Sequence, residues 1–153
     1  MTVREYLRQA YLLDYRINAH IEEAAQLREM ATSLSSPSLG DKVQSCPDGN
    51  APFVKQVESI IRLENKINAE IDTLVALKEQ IQSVISTVSN PEEYRILQYR
   101  YIDGLSCGKI ARKMHMARSS VYRHHDSAIS KLRLPENPIV LGLGNNPGQN
   151  ETK

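Results

Sequence analysis

The chain has 153 residues, a formal net charge of +1, no Trp and a single Phe. That length holds one ordinary domain or two small ones joined by a linker. With so few aromatic residues and abundant Leu, Ile, Val and Ala, an aromatic-rich β-fold is excluded, and no run approaches the roughly 20 apolar residues that a bilayer span needs.

The opening residues are charged from Arg4 onward and have no apolar core of the signal-peptide kind, so a cytoplasmic location in a bacterial host is expected. From residue 2 to about 34, apolar or small side chains recur in steps of three and four. Val3, Tyr6, Ala10, Leu13, Ile17, Ala24, Leu27, Ala31 and Leu34 share one register, broken only by His20. Such a seam predicts a long helix in a coiled-coil-like pair. Residues 35–52 hold three prolines and two glycines and are predicted to be a linker loop.

A second long helix is predicted from about 53 to 88, with Phe53, Val57, Ile60, Ile67, Ile71, Leu74, Ile81, Ile85 and Val88 as its seam and Glu64 and Lys78 as polar breaks. One connecting loop makes an antiparallel hairpin the simplest arrangement. The seam fits a partner helix from the same chain or from a second copy alike, and its narrowness suits a homodimer. Residues 1–90 are therefore read as a unit for oligomerisation or partner docking.

Asn90-Pro91-Glu92-Glu93 has the composition of a helix start: a capping amide, a proline at the first position, and acids at the positive end of the helix dipole. The helix it opens is predicted to stop at Asp103-Gly104. Ser106 can cap a short helix from Cys107 to about Met114. After a turn at residues 115–117, a last helix begins at Arg118 and ends before Pro135. Residues 135–153 are rich in Pro, Gly and Asn and are read as a disordered tail.

Charge is unevenly placed. Residues 1–90 carry net −3 and residues 91–134 net +5, and between 105 and 134 seven basic side chains face one acid, Asp126. A local positive field attracts phosphates whatever the whole-chain charge. Residues 110–132 also read as two short helices around a tight turn, the second beginning with basic and hydroxyl side chains. That is the pattern of a helix-turn-helix DNA reader. Ala111 fits the close approach of the two helices, and Val121 faces back across it.

On the last helix Val121, His124, Ala128 and Leu132 are expected to face inward. Arg118, Ser119, Tyr122, Arg123 and Asp126 are then outward. Arg118, Ser119, Tyr122 and Arg123 are the candidates for base edges, because a guanidinium donates bidentately to guanine and hydroxyls bond more loosely. Lys109, Arg112, Lys113, Ser120 and Lys131, with Arg133, are candidates for phosphates, which set position without reading sequence.

His115, His124 and His125 suggest a metal, but the adjacent pair points to different helix faces and no carboxylate or thiolate completes a set. Cys46 and Cys107 match no ligand spacing and are expected as reduced thiols. Tyr-Arg-His-His-Asp comes with no nucleophile, phosphate loop or paired carboxylates, so neither catalysis nor a cofactor is expected.

Residues 91–133 resemble the last region of bacterial sigma factors, the promoter-reading module. The likeness lies in residues 99–106 (YRYIDGLS), 110–114 (IARKM), 116–123 (MARSSVYR) and 128–133 (AISKLR). The arrangement as a whole is similar to phage-encoded ArpU/RinA-like late transcription regulators, which share wording at residues 4–14 and 67–72. The resemblance implies binding to double-stranded promoter DNA and contact with host RNA polymerase, with Arg118, Ser119, Tyr122 and Arg123 at the contacting positions. Two residues depart from the sigma pattern. His115 stands where the turn often has Gly, and His124 stands at a usual aliphatic core position.

The expectation is an all-α protein, a long antiparallel coiled-coil-like hairpin followed by a small three-helix helix-turn-helix module over residues 91–134. Its expected function is phage-type transcription regulation. Two rivals differ in testable ways. A DNA-packaging adaptor resembling a small terminase subunit also joins this motif to an oligomerising coil, with the DNA module usually first in the chain. A pure protein-interaction coil would show no salt-dependent DNA retention.

Overall fold

The computed structural model describes residues 1–35 and 51–142. The predicted linker loop lies almost wholly outside the described residues, as do Cys46 and the tail beyond Gly142. The described residues form five α-helices and no strand: α1 (Val3–Ser35), α2 (Ala51–Ile85), α3 (Pro91–Leu97), α4 (Cys107–Lys113) and α5 (Arg118–Lys131). A π-helical turn, Gln98–Ile102, extends α3. The chain divides into two compact units, residues 15–73 and residues 1–14 together with 74–153.

Within residues 15–73, α1 and α2 run antiparallel. Arg16 Nε lies 2.9 Å and His20 Nδ1 2.8 Å from the two Glu70 carboxylate oxygens, while Arg28, further along α1, pairs with Glu64, earlier on α2. His20, the break in the α1 seam, therefore faces a carboxylate. Its partner explains why the α2 seam needs correction. Glu70 turns inward to meet Arg16 and His20, and Ile71 is rotated out to 40 % exposure. Phe53 is also exposed, whereas Leu77 and Val84, outside the predicted seam, are buried. A seam read from apolar letters alone misplaces the face wherever a paired charge takes an inner position.

In the other unit, the first turns of α1 pack antiparallel to the end of α2. Tyr6, Leu7, Leu13, Leu77, Ile81 and Ile85 are fully buried; truncating one such residue to Ala costs about 2–5 kcal/mol. Tyr6 donates from its hydroxyl to Gln80 Oε1 at 2.7 Å, and burial pushes its pKa up to about 12.

Two glutamines fasten the segment that the sequence assigns to a disordered tail. Gln80 donates to the Asn137 carbonyl (2.8 Å) and accepts from Ile139 N (2.9 Å). Gln9 donates to the Ile139 carbonyl (3.1 Å) and accepts from Leu141 N (2.7 Å). Residues 137–141 thus supply backbone partners for a buried amide, a role that Pro- and Gly-rich composition does not reveal.

The α3–α5 assembly follows its local signals. Asn90 accepts from Glu92 N at 2.9 Å and Glu93 N at 3.1 Å, with Pro91 at the first helical position. Gly104 takes a φ of +70° after the π-helical turn, and Ser106 caps α4 through Lys109 N at 3.4 Å. Ile96, Ile110, Ala111 and Val121 form the core, flanked by Tyr99, Leu105, Cys107, Met114 and Met116. Only one inward residue of α5 differs from expectation. Val121, His125, Ala128 and Leu132 are buried, and His124 is not. The cause is chemical: His125 finds the Tyr101 hydroxyl at 2.8 Å inside, while His124 Nε2 lies 3.4 Å from Glu92 nearer the surface.

Candidate nucleic-acid interface

Residues 114–117 turn the chain between α4 and α5. His115 adopts a left-handed φ of 53°, the conformation that Gly takes most cheaply. Met116 N closes the turn on the Ala111 carbonyl at 3.0 Å. No side chain caps α5, because Ala117 occupies the capping position. The first-turn N–H groups of a 14-residue helix thus stand beside the outward-facing residues, and such donors favour an anion.

With Val121 and His125 buried, Arg118, Ser119, Tyr122 and Arg123 are all exposed on the first two turns of α5. Arg123 has no hydrogen bond or ion pair among the described residues, so its guanidinium is uncommitted. Arg118 lies against α4: its guanidinium sits over Gly108, which has no Cβ to obstruct it. Gly108, Ala111, Arg112, His115, Met116, Ala117 and Arg118 together line a groove at the turn.

The phosphate candidates separate into different situations. Lys109, Arg112 and Lys113 are exposed on α4, with Arg112 Nε donating to the Gly108 carbonyl at 3.4 Å and Lys113 Nζ 4.7 Å from the Tyr99 ring centroid. Arg133, past the end of α5, is exposed, and Ser120 is half-buried. Lys131 is already engaged, its ammonium lying 2.8 Å from both carboxylate oxygens of Glu93. Glu93 is only 3 % exposed, and the Lys131 hydrogen bond holds its carboxyl below the usual range despite burial, with Ser127 donating to it at 2.8 Å. That pair holds α3 to α5, so Lys131 has a structural task.

On the far side of Tyr122, a cleft of about 390 Å³ is lined by Arg4, Arg8, Tyr11, Arg100, Tyr101, Cys107, Tyr122, His125 and Asp126. Burial lowers the His125 pKa, so the imidazole is neutral near pH 7. The acceptor role of Nε2 toward Tyr101 O–H then leaves the proton on Nδ1, 3.3 Å from Asp126. Asp126 is held below its usual range, first by His125 and then by Arg4, whose Nη2 is 2.9 Å away. The sequence by itself does not place Arg4, Arg8 or Tyr11 beside α5. Their spacing does put them on one face of α1, a signal that acquires meaning only from the fold.

A family profile matches residues 33–133, about two thirds of the chain. The chain belongs to the DUF1492 family. That family is described as proteins of unknown function. No curated protein and no solved structure matches the chain. The DUF1492 match takes in α2 to α5, and so the whole of the turn and the outward face of α5, while Arg4, Arg8 and Tyr11 precede it. Among the described residues of this DUF1492 member, no helix is long and apolar enough to cross a membrane, and no group of three or more His, Cys, Asp or Glu is placed to hold a metal ion.

Proposed function

We propose that this DUF1492 protein is a transcription regulator of phage type that binds double-stranded promoter DNA through α4 and α5 and assists or recruits host RNA polymerase. One observation carries the DNA part of the reading. The leading turns of α5 bury Val121 and His125 against the preceding helices while Arg118, Ser119, Tyr122 and Arg123 stand in solvent on the uncapped end of the helix. A helix set this way enters the major groove with its N-terminal side chains at base edges. Lys109, Arg112 and Lys113 suit the flanking phosphates. Contact with the polymerase rests on the likeness of residues 91–133 to the promoter-reading region of sigma factors. No catalytic step is part of this reading.

The test is selection of bound fragments from the genome that encodes the protein, followed by titration of variants on the recovered site. Arg118→Ala and Arg123→Ala should each cost about 1–3 kcal/mol and relax base preference, whereas Lys113→Ala should weaken all sequences alike. Unchanged affinity in both arginine variants removes the assignment of α5. Self-association is part of the same reading, supported by Ile21, Met30, Phe53, Val54 and Ile61, which are exposed on α1 and α2. Native mass spectrometry should show a dimer, and a ring of many subunits would favour a packaging adaptor.

A further inference from the structure

The cleft beside Tyr122 draws its walls from α1, the π-helical turn, α4 and α5. Arg4, Arg8 and Tyr11 occupy positions i, i+4 and i+7 of α1 and so share one helical face. That face stands against α5, since Arg4 pairs with Asp126 at 2.9 Å. Arg100 enters from the π-helical turn, fixed by its donation from Nη1 to the Leu105 carbonyl at 3.1 Å. Three guanidinium groups therefore converge on a cleft whose only carboxylate among the described residues is Asp126, already shared between Arg4 and His125. Arg8 is exposed and has no hydrogen bond or ion pair among the described residues.

The guanidiniums of Arg8 and Arg100, which pair with no carboxylate among the described residues, with tyrosine hydroxyls and ring faces at the rim suit a phosphodiester, which accepts bidentate donation and tolerates an aromatic beside its sugar. Tyr122 belongs both to the outward face of α5 and to the cleft wall. A duplex seated on Arg118 and Tyr122 therefore passes the mouth of the cleft. We infer that the first turns of α1, through Arg8 and Arg4 with Arg100, form a phosphate clamp for the backbone of the same duplex that α5 reads. This inference rests on the DNA-binding reading above. It gives the opening of α1 a role in DNA contact besides its packing against α2.

The experiment uses the full chain and the duplex recovered by selection. Binding is measured across a salt series for the unsubstituted protein, Arg8→Ala and Arg118→Ala. If Arg8 neutralises a phosphate, Arg8→Ala lowers the log–log salt slope by about one unit and weakens every sequence alike, while Arg118→Ala changes base preference. Cys107 lines the cleft and supplies an independent readout in a Cys46→Ser background: the duplex should slow its alkylation by iodoacetamide. An unchanged slope in Arg8→Ala, or unslowed Cys107 alkylation, overturns the clamp; if Arg118→Ala still weakens binding, the reading of α5 stands. Absence of any salt-dependent duplex binding by the unsubstituted chain overturns both.

Discussion

The guanidinium of Arg118 rests on the bare backbone of Gly108, and a Cβ there would come within 2.6 Å of its Nη2. The opposing atom is the far end of a flexible side chain, so a methyl group would displace the arginine head and leave the helices in place. Gly108 lies within α4, where Ala is favoured over Gly by about 0.5–1 kcal/mol. Gly108→Ala should therefore hold or raise the urea midpoint while altering duplex affinity or base preference. A stability gain with DNA binding untouched would mean that the position of the Arg118 head is irrelevant to recognition.

His115 occupies the turn between α4 and α5 with a φ of 53°. A side chain in that conformation costs about 1–2 kcal/mol, and Gly gives back part of the gain through its freer unfolded chain. His115→Gly should stabilise the protein by about 0.5 kcal/mol, read from denaturant midpoints at constant slope. Because the turn sets the angle of α5, duplex affinity should stay the same or rise. A destabilised variant would show that the imidazole makes a contact worth more than the backbone strain.

The all-helical fold, the helix starts at Asn90 and Ser106 and the turn at 115–117 were legible because each is written in local chemistry: a capping side chain, a proline or a break in periodicity. Features that depend on a distant partner were not. The inward turn of Glu70 is set by Arg16 and His20, and the choice of His125 over His124 is set by Tyr101. Gln9 and Gln80 hold residues 137–141 from far away in sequence. Of the proposed contact residues, the α5 set followed from helical spacing alone. The engagement of Lys131 by Glu93 and the approach of Arg4 and Arg8 to α5 required the packed structure.

Lys131 illustrates how an assignment changes once its partner is visible. Removing the ammonium leaves a carboxylate at 3 % exposure with Ser127 as its remaining donor. Lys131→Ala should destabilise the protein by about 2 kcal/mol, within the range for a hydrogen bond to a charged group. Its salt slope for duplex binding should be unchanged, since a lysine held by Glu93 releases no DNA counterion. The folded pKa of Glu93 lies below its ordinary value of 4.5, so its contribution is complete above about pH 4.5 and is lost as pH falls through the folded value. In Lys131→Ala that acid-dependent loss should shrink, because the folded carboxyl then titrates closer to its unfolded value.

The Tyr101–His125–Asp126–Arg4 chain should produce a second pH dependence, one that begins at higher pH than that of Glu93. Burial places the folded pKa of His125 below its ordinary value of 6.5, against the smaller opposing effect of the Asp126 hydrogen bond. Below about pH 6.5 the unfolded chain takes up a proton that the folded imidazole resists, so stability falls with pH until the folded pKa is reached. Protonation would also end the acceptance of the Tyr101 hydroxyl at Nε2, 2.8 Å away. His125→Gln keeps a polar group of related reach and removes the titration. Denaturant midpoints taken from about pH 8 downward should decline through this window in the unsubstituted protein and less steeply in His125→Gln. Parallel curves for the two proteins would show that the buried imidazole is not the group that couples protonation to unfolding.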